Sequence, residues 1–163
     1  MIRINRETDY GIGILSMLAR DDDARVTAAT LADRRGLPQP MVSKILKHLA
    51  RAGILVSYRG AKGGYGLARR PEEITVAEII AALEGPISLT ECVEEGVEAC
   101  QYSNYCTVSG NWTRINRVVH EALSRITLAE MSAPEPDMPG TAGPGARDEF
   151  PIEFSGVRYV SDV

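Results

Sequence analysis

Between Thr27 and Ala68 the chain is punctuated so closely that few folds can accommodate it. Thr27 suits the start of a helix, where its hydroxyl can accept from an orphan backbone N–H, and Gly36 suits the left-handed conformation that ends one. Pro38 and Pro40 mark the turn that follows. Pro40 is harmless in the first turn of a second helix, because N–H groups there lack intrahelical partners anyway. That second helix is expected from about residue 40 to 52, closed by Gly53, with Val42, Ile45, Leu46 and Leu49 facing a core. The alternating run 54–58, the turn Arg59-Gly60-Ala61-Lys62-Gly63-Gly64 and the run 65–68 read as a β-hairpin directly behind it. A helix pair joined by Gly is a weak signal by itself. The order helix, helix, hairpin, preceded by another helix over about 7–19 with Ile12, Ile14, Leu15, Met17 and Leu18 on its apolar face, predicts a winged helix-turn-helix.

Beyond the hairpin, Thr75 and Glu78 have capping-box spacing ahead of Val76, Ile79, Ile80 and Leu83, and Gly85-Pro86 ends that helix. A long amphipathic segment over about 109–126 carries Trp112, Ile115, Val119, Leu123 and Ile126 at helical spacing. Such a stripe suits either a core-facing helix or a dimer contact. The dimer is the preferred reading, since two-fold operators make dimers useful. The expected fold is mainly α with a small β-hairpin wing: a winged helix-turn-helix DNA-binding domain over 1–85, a cysteine loop over 86–108, a dimerisation helix region over 109–131 and a largely disordered tail over 132–163. Pro134, Pro136, Pro139 and Pro144 in a Gly- and Ala-rich context leave that tail little apolar surface to bury.

Charge is divided as sharply as pattern. Residues 1–70 hold thirteen Lys or Arg against six Asp or Glu, and residues 71–163 hold five against sixteen. The overall charge of −4 therefore conceals a basic half suited to a polyanion. On the third helix Gln39, Ser43, Lys44, Lys47 and His48 occupy polar positions and are expected to face a major groove, Gln39 and Ser43 nearest the base edges. Arg59 and Lys62 at the hairpin tip are expected to contact DNA, with the tip glycines letting backbone approach a phosphate. The turn lacks the G-x-x-x-x-G-K-[ST] order of a nucleotide loop, and no carboxylate pair or nucleophile constellation supports an enzyme or a small-molecule substrate. No apolar run is long enough for a membrane, and the odd cysteine count fits a reducing, cytoplasmic location.

Those cysteines, Cys92, Cys100 and Cys106 in the spacing C-x7-C-x5-C, lie in one short acidic stretch. Thiolates are soft ligands for Fe-S clusters, copper(I) or zinc, and three from one loop leave a coordination position to be filled elsewhere. The spacing does not choose the metal, and a structural zinc or redox site in a DNA-binding protein stays open.

Several motifs together resemble one family. Thr8-Asp9-Tyr10, the helix-turn from Leu37 to Lys44, the Arg59–Tyr65 wing, Leu89-Thr90-Glu91-Cys92 and Gly110-Asn111-Trp112 are similar to the IscR-type regulators of the Rrf family, most of all to the group known as SUF-system Fe-S assembly regulators. The resemblance covers about residues 1–131. It implies a homodimer that binds double-stranded promoter DNA and holds an iron-sulfur cluster through three cysteines and one non-cysteine ligand, 2Fe-2S expected ahead of 4Fe-4S. It implies a repressor of Fe-S assembly genes, with iron- or nitric-oxide-responsive regulation as the alternative. The best-known members place a histidine three residues after the last cysteine, where this chain has Ser109. Nitric-oxide-sensing relatives use an acidic residue of the partner subunit's first helix, which corresponds to Asp9. Asp9 is thus the expected fourth ligand, with Glu7, water or a small thiol as alternatives. A charge that complements the helix dipole is the competing role for Asp9.

Overall fold

The computed structural model describes residues 3–21, 25–60, 63–93, 100 and 105–134, with only the backbone of Cys92. The unit Met1–Ala133 carries the fold; Pro134–Val163 is separate, and its residues from 135 onward lie outside the described ones, as do Lys62 and most of the cysteine loop.

Helix α1 (Arg6–Arg20) begins where Asn5 Oδ1 accepts from the Thr8 N–H at 2.9 Å, and Glu7 and Asp9 place negative charge in its first turn, complementing the helix dipole. In α2 (Ala28–Arg35) the Thr27 hydroxyl accepts from the Thr30 N–H, and Gly36 ends the helix at φ 61°. Only a residue tolerant of the left-handed region stops the chain there without strain. The helix α3 (Gln39–Arg51) starts one residue earlier than its periodicity implied, with Pro40 in its first turn. Its apolar side is wholly sequestered: Val42, Leu46 and Leu49 have no exposure and Ile45 has 1 %. With Ile14 and Leu15 of α1, Leu31 of α2 and Ile54 they form the centre of the core.

Strands β1 (Leu55–Tyr58) and β2 (Gly64–Leu67) pair antiparallel with Leu55 opposite Leu67 and Tyr58 opposite Gly64. A further pairing lies outside the hairpin. The Val26 N–H donates to the Tyr65 carbonyl at 3.0 Å and the Tyr65 N–H to the Val26 carbonyl at 2.8 Å, a single antiparallel bridge that ties the chain ahead of α2 to the free side of β2. The glycines of the turn also have a packing role. A Cβ on Gly64 would stand 2.8 Å from the Val26 carbonyl oxygen, and one on Gly63 2.6 Å from the Tyr58 carbonyl oxygen. These glycines serve close approach of the wing to its own backbone, a role distinct from the expected approach to phosphate.

Helix α4 (Val76–Glu84) carries the capping box read from sequence: the Thr75 hydroxyl accepts from the Glu78 N–H at 3.2 Å, and Glu78 accepts from the Thr75 N–H at 2.9 Å. Burial raises the Glu78 pKa, but the Thr75 N–H and Arg69 outweigh it and hold the carboxyl below its ordinary value.

The segment 109–131 is two helices. After α5 (Ser109–Arg125), Thr127 and Glu130 form a second capping box and open α6 (Leu128–Ser132). The Val76 N–H donates to the Ile126 carbonyl at 2.9 Å and the Leu128 N–H to the Ile74 carbonyl at 2.8 Å, an antiparallel bridge between the entries to α4 and α6. Leu128 is fully buried in the main core, so the core of the winged unit does not close at residue 85. Ser132, where the tail was expected to start, is buried at the end of α6, and Arg20 of α1 donates to the Ser132 and Ala133 carbonyls. No described helix is long and apolar enough to cross a membrane.

Candidate nucleic-acid interface and cysteine site

Because α3 turns its Val42, Ile45, Leu46 and Leu49 inward, its polar residues fall on the opposite side at intervals of three and four. Pro40, Ser43, Lys44, Lys47, His48 and Arg51 line one groove of about 380 Å³ there. Four of the five residues expected on this helix are thus brought together. The fifth, Gln39, is exposed at the first position of the helix. Arg59 is exposed just past β1, and Lys62 lies outside the described residues. A cation that sequence reasoning missed lies against the wing: Arg25, ahead of α2, stacks over the Tyr58 ring of β1, 3.9 Å from its centroid. No local motif signalled it, because the two residues are brought together only by the Val26 to Tyr65 pairing.

One groove cation is already engaged. Lys44 Nζ donates to both carboxylate oxygens of Glu7, at 2.8 and 3.0 Å. Among the described residues, Lys47 and Arg51 meet no carboxylate.

The cysteine site is described at its margins. Cys92 lies in a 3-10 turn, Glu91–Val93, whose Val93 N–H donates to the Thr90 carbonyl at 3.0 Å. Cys100 and Cys106 are half-buried free thiols, and Cys106 stands three residues before α5. The approach to Cys92 is fastened to that same helix by Asn116, which sequence reasoning did not single out. Its Oδ1 accepts from the Leu89 N–H at 3.1 Å and its Nδ2 donates to the Ile87 carbonyl at 2.9 Å. One amide side chain satisfies a donor and an acceptor of the same backbone stretch, as Asn can and Leu cannot. Among the described residues no three His, Cys, Asp or Glu side chains converge on one point, the Cys92 side chain being outside that set. The donor chemistry suits a thiophilic cluster: two free thiols are observed and a third cysteine stands at the pinned end of the same stretch. Asp9 is exposed on the first turn of α1, whereas Glu7 is held by Lys44.

The apolar stripe of α5 divides. Val119 and Leu123, with Ile80, Ile87 and Leu89, line a cleft of about 450 Å³ between α4 and α5. Trp112 and Ile115 remain 39 % and 42 % exposed, and Val118 beside them 58 %.

A helix-turn-helix whose second helix presents a groove of basic and polar side chains, followed by a two-stranded wing, defines a winged-helix DNA-binding protein. Comparison with known proteins narrows the class. Residues 4–134 match the Rrf2 family, described as iron-dependent transcriptional regulators, and the chain belongs to that family. It is similar to the HTH-type transcriptional regulator slr0846 of Synechocystis sp., 31 % identical over 80 % of this chain and 87 % of that protein. Among solved structures it resembles CymR, the global cysteine regulator of B. subtilis, with a TM-score of 0.62 and 32 % identity over 81 % of this chain and 97 % of CymR. It also resembles IscR of T. potens, with a TM-score of 0.59 and 28 % identity over 80 % of this chain and 85 % of that one. The protein is therefore a winged-helix transcriptional regulator of the Rrf2 type.

Proposed function

We propose that this regulator represses genes for Fe-S cluster assembly, binding promoter DNA as a homodimer in a manner governed by an iron-sulfur cluster held by Cys92, Cys100, Cys106 and Asp9. The observation that carries this reading is the tie through Asn116. The stretch ahead of Cys92 is fastened to α5, and Cys106 leads directly into the same helix, so the cysteine-bearing segment is anchored to α5 at both ends. When bound, a cluster supplies metal-thiolate bonds that hold the three cysteines in one arrangement.

The remaining steps belong to the chain's own residues. Trp112, Ile115 and Val118 on α5 give a second copy an apolar face to cover, so order in the cysteine segment bears on the helix that sets the distance between two α3 helices. In each protomer Ser43 and Gln39 address base edges, while Lys47, Arg51 and Arg59 anchor phosphates. Asp9, rather than Glu7, is the carboxylate left available at the start of α1. Moving such an equilibrium from mostly off to mostly on takes about 5 kcal/mol of differential affinity, within what metal-thiolate ligation can provide.

The test is anaerobic purification with visible absorption and iron and sulfide assay, followed by titration of cluster-loaded and cluster-free protein onto DNA upstream of Fe-S assembly genes. Bound iron and sulfide with tight binding by the loaded form alone is the expected result. Equal binding by both forms would end the proposal. The likeness to CymR favours a second reading, a regulator of sulfur or thiol status whose cysteines hold no cluster. Colourless protein lacking sulfide, with or without zinc, would favour it.

A further inference from the structure

The contact between Glu7 and Lys44 joins the first turn of α1 to the middle of the DNA-facing groove across 37 residues of sequence. Both carboxylate oxygens of Glu7 lie within 3.0 Å of the lysine nitrogen. The start of α1 does not depend on Glu7 alone. The start of α1 is already closed by the Asn5 side chain, and Asp9 already supplies negative charge in the first turn. Of the three cations in the groove, Lys44 is matched with an acid, while Lys47 and Arg51 meet none among the described residues.

We infer that Glu7 is a specificity-determining residue that holds Lys44 in an internal ion pair and so withholds it from random DNA. The inference rests on the α3 groove being the DNA site. A free lysine that meets a phosphate releases a condensed counterion and raises affinity for any sequence alike. A lysine already paired with Glu7 gains far less, because the phosphate must displace one anion to provide another, and the released carboxylate then needs a counterion of its own. The exchange becomes favourable only where the groove is docked closely enough for Lys44 to gain a hydrogen bond to a base edge or a well-placed phosphate that Glu7 cannot match. The pair is exposed, 55 % at Lys44 and 39 % at Glu7, hence weak enough to be exchanged in a specific complex. It thus lowers background binding more than operator binding, which widens the ratio between them.

The experiment is a double-mutant cycle with wild type, Glu7→Gln, Lys44→Gln and the double variant, each titrated onto a random-sequence duplex and onto a duplex selected from a random pool by wild-type protein. Both side chains are on the surface, so the substitutions leave the core intact. Glu7→Gln should bind the random duplex about threefold more tightly at low salt, with a log-log salt slope steeper by about 0.9, and should gain less on the selected duplex. Both effects should vanish in the Lys44→Gln background. An unchanged Glu7→Gln protein would overturn the inference, as would an equal gain with Lys44 absent, which would mean that Glu7 acts only through overall charge. If Lys44→Gln alone altered binding to neither duplex, the assignment of the groove to DNA would fall first, a result distinct from failure of Glu7 alone.

Discussion

Replacing Asn116 by Leu keeps the number of heavy side-chain atoms and the branching at Cγ and removes both hydrogen bonds to the backbone of residues 87–89. Each such bond contributes about 0.5–1.5 kcal/mol net, so their joint loss should cost about 1–3 kcal/mol. The half-buried setting lets water replace part of what is lost, which keeps the figure below the penalty for two sealed orphans. The loss should appear first in local opening of the stretch ahead of Cys92, because the main core does not depend on it. Hydrogen exchange reads this directly. Exchange of the Leu89 amide should accelerate by about 5- to 150-fold, which is 1–3 kcal/mol at tenfold per 1.4 kcal/mol. The Val76 amide, bonded to the Ile126 carbonyl, should be unchanged and serves as the internal reference. Asn116→Asp should fall between the two, since it still accepts from Leu89 but turns an oxygen toward the Ile87 carbonyl. Unaltered Leu89 exchange in Asn116→Leu would refute the argument that this side chain anchors the cysteine segment. If the segment holds a cluster, the same variant should also lose iron and sulfide faster than wild type.

Other substitutions probe the rest of the molecule. Leu128→Ala should destabilise the protein by about 2–5 kcal/mol in urea unfolding, because a fully buried side chain leaves a cavity; a loss well under that range would show that α6 is peripheral to the core. Lys47→Ala and Arg59→Ala should each weaken binding to all duplexes and reduce the salt slope by about 0.9, and unchanged slopes would remove these residues from the interface. Stability should decline at acid pH through both capping boxes. At Glu78 burial works the other way but the Thr75 N–H and Arg69 prevail, and at Glu130 the Thr127 N–H dominates, so both carboxyls titrate below the ordinary range. Their contribution is complete above the unfolded-state pKa and is lost as pH falls through the lower folded value. Glu78→Gln should flatten this acid limb in pH-dependent unfolding, and an unaltered limb would contradict the assignment.

How much could be read in advance follows from the range over which each feature acts. Thr27, Gly36, the Thr75 and Glu78 pair and the buried face of α3 depend on residues within a turn or two of one another, and the local pattern located them to within a residue or so. Thr127 and Glu130 carry the same kind of local signal, overlaid in the sequence by the apolar stripe of α5 that runs on through Ile126. The groove residues Ser43, Lys44, Lys47 and His48 were legible for the same reason, since helical periodicity alone puts them opposite the core.

Tertiary structure decided what these elements do to each other. The return of α6 to bury Leu128, the pairing of Val26 with Tyr65, the engagement of Lys44 by Glu7 and the two hydrogen bonds from Asn116 to residues 87–89 join positions from 27 to more than 50 apart in the chain. Contacts of that reach leave no period, since each depends on how whole helices are packed and on which polar groups the packing leaves facing one another. The amino-acid sequence by itself therefore determined the helices, the wing and the side of α3 that meets solvent. Which lysine in the groove stands engaged, and which helix carries the cysteine segment, was determined only when the core brought the separate elements together.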